Sequence, residues 1–156
     1  MKLEKWASVA EIIGAVAIVL SLLFVGYQIR QNTLATQIAS ANDLGMALLE
    51  VNKLTVQSDL AELFVRTESG GYSSLTEVEQ AQMSSVIHAY FRVLQAFYYQ
   101  YRRGALESLL WEPLEENLGR MLSSGNYDAW WDSNKFLYSS EFVDYLDHAV
   151  LPEHRL

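Results

Sequence analysis

The chain has 156 residues, 51% of them hydrophobic and only 19% charged, with a net charge of -8 and no cysteine. That length predicts one domain with a core of its own, and the missing cysteines exclude disulfides, thiolate zinc sites and cysteine nucleophiles. The negative charge argues against a nucleic acid partner, because phosphate binding depends on lysines and arginines that displace counterions.

The first element is apolar. Ile12 to Tyr27 carries no charge, and Ser21 is its one clearly polar residue. Residues 1–33 hold Lys2, Lys5 and Arg30 against Glu4 and Glu11, so the rest of the chain carries a net charge of -9. As a helix, Trp6 to Tyr27 is about 33 Å long, matching the roughly 30 Å hydrocarbon layer of a bilayer. Trp6 and Tyr27 stand where amphipathic rings favour the water boundary, and Lys2, Lys5 and Arg30 close the segment with hydrated charge. A buried core helix is disfavoured, because few soluble domains of this size can surround sixteen such residues. A cleaved signal is disfavoured too, since the small-x-small candidate Ala39-Ser40-Ala41 lies far beyond Val25. The segment therefore reads as an uncleaved transmembrane anchor. Positive charge before it exceeds that after it, which places the amino terminus in the cytoplasm and the acidic domain outside.

At helical spacing Ala10, Gly14, Ala17 and Ser21 form a narrow stripe of small residues, with Glu11 and Gln28 beside it. Small residues let helix backbones approach closely in lipid. Self-association through this face would take Glu11 out of hydrocarbon; the alternative is that Glu11 snorkels to the interface.

The pattern Trp6-Ala7-Ser8-x-Ala10-Glu11-Ile12-Ile13-Gly14-Ala15, followed by Ser21-Leu22-x-x-Val25-Gly26-Tyr27-Gln28-Ile29-Arg30-Gln31-Asn32-Thr33, resembles a widespread group of uncharacterised bacterial membrane proteins. Gly104, Trp111, Trp130-Trp131 and Ser140-Glu141-Phe142 are similar to later landmarks of the same group. The resemblance implies one amino-terminal span ahead of a small helical domain in a bacterial cytoplasmic membrane. It implies no activity.

Past Thr33, the residues Leu34, Ile38, Ala41, Leu44, Leu48 and Val51 recur at the period of an amphipathic helix. With no proline between, the anchor and this segment read as one continuous helix that breaks around Val56 to Asp59. Asp59 with Glu62 predicts a capping box for a short helix ending before Gly70-Gly71. Thr76 with Glu79 predicts another, opening a helix of roughly 27 residues that Gly104 ends in the left-handed conformation. Ile87, Tyr90, Phe91, Leu94, Phe97, Tyr98 and Tyr101 give that helix a wide aromatic face. A fourth helix is expected between Glu107 and Ser124, with Pro113 in its first turn or kinking it. A fifth follows Ser124-Gly125-Asn126 and a sixth follows Ser139-Ser140. The fold class is all-α: an anchor over 1–33 continuous with a long amphipathic helix, then a compact bundle within an acidic domain over 34–156.

Three groups of side chains carry candidate chemistry. His88, Arg92, Gln95, Tyr99 and Arg102 share the face of the long helix opposite its aromatics. The arginines with His88 would suit an anion pocket, but no glycine-rich loop joins them, so a solvated or partner-facing stripe is favoured. Asp144, Asp147 and His148, with His154 further on, have one spacing that can hold a metal, but too few ligands, so no metal is assigned. Trp111, Trp130 and Trp131 would line a pocket, yet their setting beside leucines favours core packing. No nucleophile elbow, phosphate loop or zinc-protease motif is present, so neither catalysis nor a cofactor is predicted.

These readings converge on a membrane-anchored module that self-associates and presents its acidic domain to a protein partner as an interaction or sensing platform. A second reading is a homo-oligomeric pore favouring cations, with Glu11, Ser21, Gln28 and Asn32 turned to its axis. A third, an enzyme built around His88 and Arg92, has the least support.

Overall fold

The structure is a computed structural model describing residues 2–56 and 58–154, with the side chains of residues 2–5, 7–9 and 58 outside that description. The anchors Lys2 and Lys5 therefore lie outside the described side chains. Among the described residues every regular element is helical. The chain separates into two compact units, Met1–Ser40 and Ala41–Leu156.

Helix α1 covers Lys2–Thr55 without a break. In the first unit its described side chains are exposed almost throughout, including Leu22, Leu23 and Phe24. Leu34 and Ile38 belong to this exposed part, so the amphipathic face read from the sequence begins only at Ala41. From there Leu44 is buried and Ala41 half-buried against the core of the second unit, while Val51 is buried and Leu48 half-buried further along.

Helix α2 covers Ser58–Gly70. Asp59 therefore lies inside the first turn, not at the cap; there its carboxylate still meets the positive end of the helix dipole. Gly71 follows at φ 76°, a left-handed conformation that favours glycine. The expected capping box at Thr76 is present: its Oγ1 accepts from the Glu79 N–H, and Glu79 accepts from the Thr76 N–H at 2.8 Å. Helix α3, Glu77–Arg102, runs from that cap to Gly104 at φ 67°. Its Met83, Phe91 and Leu94 have no exposed surface, so α3 is the central core element.

Helix α4 covers Ser108–Ser123. Pro113 sits in its second turn and has no N–H to return to the Leu109 carbonyl; both residues are exposed, which leaves that carbonyl open to water. Helix α5, Asp128–Asn134, supplies Trp130 and Trp131. Helix α6, Ser140–Tyr145, starts at Ser139, whose Oγ accepts from the Phe142 N–H at 3.4 Å. It widens into a π segment, Leu146–Val150, before α7, Leu151–His154. Pro152 gives that widening a physical reason, because its ring would collide with the carbonyl four residues back in an ordinary helix.

Candidate functional site

In the first unit the exposed face of α1 is the candidate surface. At about 100° per residue, Ala10, Gly14, Ala17, Ser21, Gln28 and Asn32 fall on one side. The stripe continues through Ala35 and Ala39, which the sequence reading left out although their spacing carries it. All these residues are exposed, and a Cβ at Gly14 would meet open space. The other side holds large apolar groups, among them Ile12, Val19 and Leu23. Gln31 Nε2 donates to the Tyr27 hydroxyl at 2.9 Å, tying one amide to the ring at the expected boundary. Trp6, Tyr27 and Arg30 are likewise exposed.

In the second unit the segment around residues 134–141 packs along the polar stripe of α3, half-burying His88, Gln95 and Tyr99 and leaving Arg92 and Arg102 exposed. His88 is held between two partners: its Nδ1 lies 2.7 Å from the Tyr138 hydroxyl and its Nε2 3.1 Å from Asn134 Oδ1. Asn134 Nδ2 donates to the Trp130 carbonyl at 2.8 Å, which fixes that amide with its oxygen toward His88. Arg92 lies over the Tyr138 ring, 5.7 Å from its centroid. Gln95 Oε1 accepts from the Ser139 N–H at 3.0 Å, and the Tyr99 hydroxyl donates to Ser139 Oγ at 2.6 Å. Arg102 Nε stands 3.8 Å from Glu141. The stripe therefore holds α6 in place, and its anion-binding groups are engaged by tyrosine and carboxylate. Burial pushes the Tyr138 hydroxyl well above its ordinary pKa, so it stays a neutral partner for His88.

The metal reading of the last helix meets a similar outcome. Asp147 accepts from Trp131 Nε1 at 2.8 Å and Lys135 Nζ at 3.2 Å, while His148 Nδ1 lies 3.0 Å from the Asp144 carbonyl. Hydrogen bonds to Asp132 and then Asp147 raise the Lys135 ammonium above its ordinary pKa. Among the described residues no three His, Asp or Glu side chains are grouped to hold a metal.

The tryptophans pack into the core with their indole N–H groups satisfied. Trp130 donates to Ser84 Oγ at 2.8 Å and Trp111 to the Tyr145 hydroxyl at 3.2 Å, which in turn donates to Glu115. Phe91 packs on Trp130 and Trp131, at 5.2 Å from each centroid. A half-open cleft of about 410 Å³ lies elsewhere in the unit, with Val51, Phe64, Val86 and Ile87 among its apolar lining and Arg120 among its polar lining.

Together these residues define an all-α protein with one amino-terminal helix long and apolar enough to cross a membrane. Over Ala10–Thr55 the most apolar window reaches a mean hydropathy of 2.3, and none of that window is buried in the chain. No family model, no curated protein and no solved structure matches the chain.

Proposed function

We propose that the protein is a single-pass membrane module that associates with copies of itself through the small-residue face of α1 and presents its acidic helical domain as an interaction or sensing platform. The observation that carries this reading is the two-sided character of α1 in the first unit. Large apolar side chains such as Ile12 and Leu23 stay more than 60% exposed, and no described residue covers them. Hydrocarbon is the solvent they match. The opposite side carries Gln28 and Asn32, with Glu11 at its edge, and these side chains have no partner among the described residues. Facing copies would bring these groups together across a seam that Gly14, Ala17 and Ser21 make close.

Lys2 and Lys5 ahead of the span, against Arg30 behind it, support an amino terminus in the cytoplasm and an acidic domain outside a bacterial cytoplasmic membrane.

Native mass measurement of the full-length protein in detergent tests the reading. An oligomer is expected, converting toward monomer in Gly14→Leu but not in Leu23→Ala on the other side. A strictly monomeric wild type, or a protein soluble in water without detergent, would overturn it. Conductance across planar bilayers that vanishes in Glu11→Ala would favour the pore over the platform.

A further inference from the structure

The ring of His154 lies against Gly119 of α4, and a Cβ at that glycine would stand 2.6 Å from His154 Cγ. Gly119 is buried, so the missing side chain makes room for the ring. His154 Nδ1 lies 2.9 Å from the Val150 carbonyl oxygen, and Nε2 lies 3.0 Å from Glu116 Oε2. A carbonyl and a carboxylate only accept. A neutral imidazole has one N–H, so it satisfies one of these oxygens and turns a ring lone pair toward the other. Rotating the ring by half a turn offers carbon to both. The two contacts coexist only on the doubly protonated ring.

We infer that His154 is a protonation-operated latch: the imidazolium pins α7 to α4 through Glu116, and loss of one proton releases that turn. The surrounding charges bear this out. On α4, the second oxygen of Glu116 takes Arg120 Nε at 3.5 Å, Glu115 is engaged by the Tyr145 hydroxyl, and Glu112 is exposed. On the π segment, Asp147 is held by Trp131 and Lys135, and His148 by the Asp144 carbonyl. Glu153, on the same turn as His154, adds a second carboxylate. The Val150 carbonyl, then Glu116, raises His154 above the ordinary histidine value of 6.5. A group raised on folding gives stability that is complete below its unfolded pKa and disappears as pH climbs through the folded one. The latch is closed in mildly acidic solution and opens on the alkaline side.

Histidine nitrogen NMR of the full chain in micelles, read alongside amide exchange corrected for its intrinsic pH dependence, tests this. His154 should hold both protons above pH 6.5. Protection in residues 150–154 should fall by about twofold to fivefold across its titration, the size of a partly screened charge pair. Glu116→Gln should move the His154 midpoint down, and His154→Gln, which keeps bulk and polarity, should remove the pH dependence of exchange. A His154 midpoint at or below 6.5, or one that Glu116→Gln leaves in place, would overturn the latch. So would protection in His154→Gln that still follows the wild-type pH profile.

Discussion

Removing the Ser139 hydroxyl should cost more than an ordinary helix cap, because it serves two donors, on a residue whose N–H and carbonyl are bonded as well. Its N–H donates to Gln95 Oε1 at 3.0 Å, and its Oγ accepts from the Tyr99 hydroxyl at 2.6 Å and the Phe142 N–H at 3.4 Å. Ser139→Ala keeps the first bond and deletes the other two. Losing the cap costs about 1 kcal/mol, and stranding the half-buried Tyr99 hydroxyl costs about 1 kcal/mol more. Tyr99→Phe deletes one bond, for about 1 kcal/mol. The double variant strands no hydroxyl on Tyr99, so mainly the cap loss remains: it should lie about 1 kcal/mol below wild type, above Ser139→Ala alone, which means a coupling of about 2 kcal/mol. Urea unfolding of the full-length protein in micelles can follow this through Trp111, Trp130 and Trp131, all buried in the core. Additive effects, or a Ser139→Ala cost below about 0.5 kcal/mol, the range of an ordinary surface substitution, would refute the docking role of the α3 stripe.

At the other end of α3, Thr76→Ala should lower stability by about 1 kcal/mol in the same unfolding assay, through loss of the capping hydroxyl. Hydrogen bonds from Arg66, and then from Thr76, hold the Glu79 carboxyl at about 2, below its ordinary 4.5. A depressed carboxyl adds stability above its unfolded pKa and loses it as pH falls through the folded one. Acid titration should therefore show stability declining from about 4.5 toward 2, with a shallower slope in Glu79→Gln. Gly119→Ala should destabilise the wild type, because the new methyl collides with His154. In a His154→Ala background the same substitution should stabilise by up to about 1 kcal/mol, since the collision is gone and alanine favours a helix over glycine. A sign that does not invert between the two backgrounds in urea unfolding would refute the packing of the His154 ring against Gly119.

Local signals were legible wherever cause and consequence lie within a turn or two of each other. Thr76 and Glu79 close their box three residues apart, Ser139 caps the helix it precedes, and Gly104 takes the left-handed turn its place after Arg102 and Arg103 demands. Asp59 shows the limit: any acid near a helix start resembles a cap, and only the backbone tells whether it stands before the first turn or inside it. The π segment was invisible because Pro152 marks a problem for an ordinary helix without saying how the chain resolves it.

What packs on the α3 stripe was missed for a different reason, and that reason bears on α1. Periodicity told that His88, Arg92, Gln95, Tyr99 and Arg102 share a face, but their cover lies far along the chain: Ser139 is 40 residues beyond Tyr99, and Tyr138 is 50 beyond His88. That cover is itself built from hydroxyls, an amide and a carboxylate, so no apolar pattern announced it. Polar side chains in a row are therefore ambiguous until their partners are found. On α3 the chain itself supplies partners for His88, Gln95 and Tyr99, while Arg92 and Arg102 stay exposed beside theirs. On the first unit's part of α1, Gln28 and Asn32 share a face with Glu11 at its edge, without a partner among the described residues and opposite large apolar groups that no described residue covers. Gln28 and Asn32 stand past the Tyr27 boundary, but Glu11 stands within the span, where an unpaired carboxylate is costly. A parallel second copy would offer the same carboxylate at the same depth along a seam of small residues, which is the association we propose.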